Sequence, residues 1–340
     1  MKNQKLMNVF LYPYNNVEKT LMKNSYQDNF IKNIENHSVK IVNRESKYGI
    51  LDIFTFFYKT DIFYFNFPEN LPDRKFGLVQ SIIFPFIFIL IKIFRKKVVW
   101  ILHNKVSHKN KHRTVKLFLM TFMLNFSDKV ITLSEEGVEY GKRFIFTGNK
   151  IEFFHHPVEN NLNKIKRNNK KDIDILIWGL ISKYKGVSDF LKFATNSPLI
   201  KNYNITIAGK IVGKELKKDI LSYQSETVNI IDSFISNKQL ENLHSRSKIV
   251  LFTYTGKSTL SSAALMFSLS FGSKILGSNY GAFKDLRKIG LIDTYDTFDE
   301  LIKKSNSNNF NINNLELTNF LDENSWKNFA KNIYQILKQV

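Results

Sequence analysis

The chain has 340 residues, a net charge of +20 and no cysteine. At 43% hydrophobic and 24% charged residues it is globular, not disordered, and its length suits two domains of about 150 residues each better than one. The missing cysteines exclude disulfides and thiolate metal sites and fit a reducing compartment. The positive excess calls for an anionic partner, and without a helix-turn-helix or RNP pattern an acidic membrane surface is preferred to nucleic acid.

The opening MKNQKLMNVFLYPY has no apolar core followed by small residues, so no signal peptide is expected. Residues 7–12 (MNVFLY) read as a strand, and 17–35 carry a helical pattern with Leu21, Met22, Tyr26, Phe30, Ile31 and Ile34 on one side. Residues 38–42 are a second strand. DIFYFNF (61–67) is a strong strand signal that ends at Pro68. The run SIIFPFIFILIKIF (81–94) is the most apolar in the chain. It is shorter than the roughly 20 residues that a membrane span needs, and Pro85 and Lys92 interrupt it. The expectation is a buried helix. The alternative is a helix at a bilayer interface, anchored by Lys92, Arg95, Lys96 and Lys97.

KVVWIL (97–102) is the next strand and runs into His103-Asn104. A helix covers about 111–126. DKVITL (128–133) is a strand whose following helix is capped by Ser134, and 151–154 make a last short strand before His155-His156-Pro157. ENNLNKIKRNNKKD (159–172) has no periodicity and reads as a basic linker. The alternation resumes with strands at 173–178, 204–208, 228–231, 248–254 and 273–276. The helices between them lie near 186–196, 213–224, 237–245 and 259–271. ENSWKNFAKNIYQIL (323–337) is an amphipathic helix with Trp326, Phe329, Ile333 and Ile336 on one stripe. Strands alternating with helices at this spacing predict doubly wound parallel sheets.

Three constellations could carry chemistry. In IDILIWGLISKYKG (173–186), Gly179 ends an apolar strand and Lys185-Gly186 opens a helix, which is a place for a phosphate between two α/β domains. An ordinary surface lysine would look the same, and neither a Walker A loop nor GxGxxG is present. YTGKSTLSS (254–262) follows a strand and joins a Gly turn to several hydroxyls, a phosphate cradle or simply a helix cap. If the sheet is parallel, both stretches share one edge. His103, at a strand's carboxyl end, could bind a sugar hydroxyl or act as a base; it could equally be structural. His108 and His112 lie nearby without carboxylate or thiolate company, so zinc is not expected. His155-His156 is read as a hinge.

In order and spacing these motifs resemble the GT-B glycosyltransferases, specifically the family-4-like group that uses nucleotide sugars, over nearly the whole chain. SDKVITLSE (127–135) looks like the last strand of that family's acceptor domain. WGLISKYKG (178–186) resembles its donor signature, and SLSFGSKILGSNYG (268–281) is similar to its later Gly-containing stretch. The resemblance implies an acceptor domain over 1–158, the linker 159–172, a donor domain over 173–322, and a helix over 323–340 that crosses back to the first domain. It implies that Lys185 contacts the donor diphosphate with Gly179 and Ser182 beside it. Gly256, Ser258, Thr259 and Ser261 would meet the sugar and phosphate, and Phe234 and Ile235 would lie against the base. His103 would face the transferred sugar, with Tyr14, Asn104 and His108 on the acceptor side.

The chain departs from the pattern where the family has an arginine, at Leu180. It also lacks the Glu-x7-Glu pair, whose places fall at Thr259 or a neighbour and at Phe267. The expected activity is transfer of a hexose from a UDP- or GDP-sugar to a glycan, on a polyprenyl carrier, in bacterial capsule or exopolysaccharide synthesis. No metal and no cofactor beyond the nucleotide sugar as co-substrate are expected, and the location expected is cytoplasmic, on the inner face of the plasma membrane. The rivals are a nucleotide-sugar epimerase of the same shape and a degenerate subunit that binds a partner protein or membrane.

Overall fold

The computed structural model describes residues 6–14, 25–105, 111–146, 150–164, 170–200, 202–256, 258–306 and 312–340. The chain divides into two compact units, one formed by Met1–His155 with Trp326–Val340 and the other by His156–Ser325.

The first unit contains β1 (Met7–Tyr12), α1 (Ser25–Ile34), β2 (Val39–Ile41), α2 (Asp52–Phe56), β3 (Ile62–Asn66) and α3 (Gly77–Ile93). It continues with β4 (Lys97–Leu102), α4 (Arg113–Phe126), β5 (Lys129–Thr132), α5 (Glu135–Lys142) and β6 (Ile151–Phe153). All six strands are parallel, in the order β2-β1-β3-β4-β5-β6. A parallel sheet covered on both faces is apolar along its whole length, and every residue of β3 (IFYFN) is buried. Ser134 caps α5 as its position implies, its hydroxyl accepting from the Gly137 amide at 3.1 Å.

The second unit contains β7 (Ile173–Trp178), α6 (Val187–Asn196), β8 (Ile205–Ala208), α7 (Lys214–Leu221), β9 (Val228–Ile231), α8 (Asn237–Arg246) and β10 (Ser247–Phe252). It ends with α9 (Ala263–Ser270), β11 (Ile275–Ser278), α10 (Gly281–Lys288), β12 (Asp293–Tyr295), α11 (Phe298–Asn306) and α12 (Asn314–Glu323). Its six parallel strands run β12-β11-β10-β7-β8-β9. Residues 156–172 belong to this unit. The Asn161 amide donates to the Ser270 carbonyl at 3.2 Å, and Lys171 Nζ donates to the Ser247 carbonyl at 2.8 Å.

Several boundaries differ from the sequence expectation. β10 stops at Phe252, two residues early, because the Tyr254 carbonyl takes the Ser278 hydroxyl at 2.7 Å and the Tyr280 hydroxyl at 2.8 Å in place of a strand partner. α9 starts at Ala263 and not at 259, since Ser262 is its cap. β11 lies two residues later than expected, and α10, β12, α11 and α12 went unrecognised. The helix α3 is not buried all round. Phe84, Ile87, Phe88 and Ile91 face the core, while Ile82, Phe86 and Ile93 are about two-thirds exposed. No helix among the described residues is long and apolar enough to cross a membrane.

A directional relay ties β7, α8 and α9 together. His244 Nδ1 lies 2.8 Å from the Leu240 carbonyl, so it carries the proton and donates. Nε2 is then the acceptor for the Ser268 hydroxyl at 3.0 Å, and Ser268 Oγ in turn accepts from the Trp178 indole N–H at 2.8 Å. Burial pushes the His244 pKa down to about 4, so the ring stays neutral.

The last helix, α13 (Trp326–Gln339), belongs to the first unit, where Trp326, Phe329, Ile333 and Ile336 pack with Phe30, Ile31 and Ile34 of α1. Ile333 is fully buried, so Ile333→Ala removes packing that nothing nearby replaces. We expect a loss of about 2–4 kcal/mol in chemical denaturation; an unchanged midpoint would show that α13 contributes little to this core. His244 yields a pH prediction. An unfolded histidine titrates near 6.5 and His244 at about 4, so its contribution is complete above pH 6.5 and is lost as the pH falls toward 4. Stability measured by urea unfolding between pH 6.5 and 4 should drop by about 1.4 kcal/mol per unit less in His244→Gln than in the parent. Equal slopes would contradict the neutral relay.

Candidate functional site

In the second unit β7 and β10 are neighbours although 68 residues lie between their ends, and the strand order reverses there. Helices on the two sides diverge at such a point and leave a crevice at the carboxyl ends of the strands. The crevice is bordered by the turn after β7 (Gly179–Gly186) and the loop after β10 (253–262). The two are joined directly. The Thr255 amide donates to the Tyr184 carbonyl at 3.0 Å, and the Thr253 hydroxyl donates to the Lys185 carbonyl at 2.5 Å.

Two glycines make this possible. Gly186 has φ +63 and leads into α6, and a Cβ there would lie 2.3 Å from the Thr253 carbonyl oxygen. Gly179 has φ +100, and a Cβ there would come within 3.1 Å of Lys185 Nζ. The sequence therefore clears both the turn and the space over its first residue for one ammonium group.

Lys185 is 6% exposed. Its Nζ lies 5.4 Å from the centre of the Tyr254 ring, and among the described residues it has neither a hydrogen bond nor an acidic partner. Burial lowers its pKa. Other lysines at this edge are differently placed: Lys210 and Lys217 both pair with Asp232, at 3.3 and 2.7 Å, and these bonds together with the Ile211 amide hold that carboxyl at about 2. A buried cation without a counter-ion is costly and is retained where an anion completes it.

Hydroxyls surround the same edge. Thr259 Oγ1 and Ser261 Oγ are buried without a hydrogen-bond partner among the described residues. Ser182 lies beside the Tyr184 hydroxyl. Gly256 has Tyr184 and Ser258 as near neighbours, at 3.8 and 3.7 Å from its Cβ position. Tyr254 links the loop to its helix through a 3.0 Å bond between its hydroxyl and Ser262. Gly179, Ser182, Lys185, Gly256, Ser258, Thr259 and Ser261 are thus drawn to the crevice edge. Phe234 and Ile235 lie after β9, three strand steps or about 14 Å from β10. Phe234 is exposed, while Ile235 packs on the core and leads to Ser236, which forms a capping box with Gln239.

Phe267, where the family resemblance leads one to expect a glutamate, packs against Trp178, His244 and Phe271 at ring separations of 5.4, 6.3 and 4.9 Å.

In the first unit His103 follows β4, half-buried. Its Nε2 lies 3.0 Å from the Asn66 side-chain carbonyl, and its ring stacks on Phe67 at 4.1 Å and 15°. With Asn66 presenting its oxygen, Nε2 carries the proton and the ring's basic nitrogen is Nδ1. Asn66 and Phe67 were not anticipated; their signal was that both end the strand beside β4. Asn104 follows His103, half-buried, and Tyr14 lies after β1, packed on the core that contains α13. Two residues past Phe67, Glu69 is a buried carboxyl that its burial pushes up to about 7. His108 lies outside the described residues. His103 and Lys185 belong to different units.

No family model matches the sequence, and no curated protein matches it. Solved structures do match. HepE (Alr3699) of Anabaena in complex with UDP superposes with a TM-score of 0.67 at 15% identity, covering 98% of this chain and 100% of that one. Sucrose-phosphate synthase of Thermosynechococcus elongatus gives 0.69 at 10% identity, covering 98% of each chain. The lipopolysaccharide outer core galactosyltransferase WaaB gives 0.65 at 14% identity, covering 98% of this chain and 100% of that one. At such identities the likeness is one of fold. Two six-stranded parallel sheets, matched over nearly the full length to these proteins, establish that this chain has the two-domain, Rossmann-like GT-B fold.

Proposed function

We propose that this chain is a glycosyltransferase that moves a hexosyl group from a nucleotide diphosphate sugar to a glycan hydroxyl. The observation that carries the reading is the Lys185 ammonium, buried at the switch point of the second sheet without an acidic partner among the described residues and flanked by the unpartnered hydroxyls of Thr259 and Ser261. A diphosphate supplies the missing charge and accepts from those hydroxyls. The donor is a UDP-sugar in preference to a GDP-sugar, a choice supported by HepE, solved with UDP, with UDP-glucose and with UDP and glucose.

In the reaction the bond from the sugar's anomeric carbon to the diphosphate oxygen breaks, and the electron pair leaves with the nucleotide. The acceptor oxygen forms the new bond and gives up its proton. Lys185 and the hydroxyls of the 253–262 loop stabilise charge on the leaving diphosphate in a water-poor setting, where fixed charges act most strongly. The step calls for neither a metal nor a cofactor beyond the donor itself. By the family resemblance Phe267, and Thr259 or a neighbour, fall where the signature carboxylates would be, so donor binding would rest on the ammonium and the hydroxyls. His103, with its basic lone pair on Nδ1, is the candidate for holding a sugar hydroxyl or taking the proton. The acceptor is a glycan on a polyprenyl carrier, for surface polysaccharide made at the inner face of the plasma membrane. WaaB, named for the lipopolysaccharide outer core, is a neighbour of compatible purpose. The packing of Phe267 favours one rival, a degenerate subunit without donor turnover.

Two substitutions test the site. Lys185→Ala should weaken UDP binding about 10- to 100-fold in titration calorimetry and lower donor hydrolysis in step, the equivalent of one charge-assisted bond of 1.5–3 kcal/mol. Unchanged affinity and turnover would end the assignment, and a parent protein inert toward all UDP- and GDP-sugars that binds no nucleotide would favour the subunit. Thr259→Val separates binding from structure. It deletes a hydroxyl that has no hydrogen-bond partner among the described residues, so the melting temperature should hold or rise while UDP affinity falls severalfold. A variant that keeps full UDP affinity would remove Thr259 from the site.

A further inference from the structure

The outward face of α3 has no polar residue to justify its exposure. Leu78, Ile82, Phe86, Ile89, Ile93 and Phe94 form an apolar stripe along one side of a 17-residue helix about 25 Å long. The stripe continues sideways. Tyr58, 83% exposed, meets the Phe94 ring edge-on at 6.3 Å, and a cavity of about 260 Å³ opens between α2 and α3, lined only by apolar and aromatic residues including Phe54, Tyr58, Leu90 and Phe94. On the other flank Phe118 and Phe126 of α4 are more than half exposed. A contiguous apolar surface of this size on a folded chain marks a docking face.

Charge says what docks there. From Arg74 to Ser127 the chain has no acidic residue and eleven lysines and arginines. Lys75 lies just before α3 and Arg95 just after it, both exposed, and neither forms an ion pair among the described residues. Lys96, beside Arg95, is turned inward to the Thr60 carbonyl, and Lys92 pairs with Asp128. An apolar stripe with a basic group at each end is the arrangement of an interfacial helix on an anionic bilayer. A second copy meeting this face through a two-fold axis would bring like charges together at the rim. Insertion across the bilayer is excluded by length, Pro85 and Lys92.

We propose that the α2–α3–α4 face of the first unit is a docking surface for an anionic lipid bilayer, with α3 lying in the interface plane, its apolar stripe among the acyl chains and Lys75 and Arg95 at the headgroups. This rests on the surface of that unit and not on the donor reading, and the assay below does not read turnover.

The test is sedimentation of the full chain with vesicles of phosphatidylcholine alone or with about 30 mol % phosphatidylglycerol. Binding should appear on the anionic vesicles, be weak on the neutral ones, and decline as salt rises through about 0.5 M. Ile82→Asp with Phe86→Asp should reduce binding at least about tenfold without shifting the melting temperature, since both side chains are exposed. Lys75→Gln with Arg95→Gln should cost about fivefold per charge on anionic vesicles and little on neutral ones. The proposal is overturned if anionic vesicles do not retain the parent protein, or if the double Asp variant binds as well as the parent. It is also overturned if the lipid-free chain is a dimer that Phe86→Asp dissociates, which would assign the face to a second copy.

Discussion

The pairing of β7 with β10 is the contact on which the rest of the second unit depends. It joins segments far apart in the chain through the register Ile249 to Ile175 and Val250 to Leu176. Once those strands are adjacent, the turn after one and the loop after the other must share a crevice. Gly186 lets the Lys185 turn close onto the Thr253 carbonyl, and Gly179 leaves room for the ammonium. The consequence is a cation held over an aromatic ring with no acidic partner among the described residues. Desolvating a charge in this way costs stability, a cost that the proposed function would recover when the donor diphosphate binds.

The two places where the family resemblance leads one to expect carboxylates, Thr259 or a neighbour and Phe267, have different surroundings. Thr259 puts a polar atom at the crevice, buried and without a partner among the described residues. Phe267 puts none. The surrounding space is taken by Trp178, His244 and Phe271, and the relay through Ser268 satisfies every polar atom there. A carboxylate at Phe267 would have to be desolvated among these rings beside a histidine that burial keeps neutral. Thr259 thus keeps a hydroxyl without a partner among the described residues, while Phe267 is part of the packing.

The first unit solves a different problem with similar material. Phenylalanines in its sheet and helices, among them Phe63, Phe65, Phe84 and Phe88, build a core of edge-on, tilted and stacked rings. The aromatic excess does not stop at the core, and it continues onto the outward side of α3, where Ile82 and Phe86 stand beside no charged residue of their own helix face. At the opposite scale, the contacts that place His103 include a hydrogen bond to Asn66 and a stack on Phe67, both from the end of the neighbouring strand.

The alternation of apolar runs and helical stripes in the sequence was enough to determine that both halves are parallel α/β units. The reason is local: a strand buried on both faces is apolar throughout, and its crossover helix shows a stripe, as in KVVWIL and in the Trp326 to Ile336 face of α13. The Gly179–Gly186 turn and the hydroxyl-rich loop were legible for the same reason, since each follows a recognisable strand. Three matters belonged to the tertiary structure. The elements of residues 281–323 were missed because β12, only three residues long, gives no strand signal of its own and becomes a strand by pairing with β11. The Asn66–Phe67–His103 contact depends on β3 and β4 being side by side, which no local pattern encodes. Which face of α3 is buried was undecidable from a run that is apolar on every side. Only packing by Phe84, Ile87, Phe88 and Ile91 distinguishes it from the face left open, because burial is a property of neighbours brought from elsewhere in the chain.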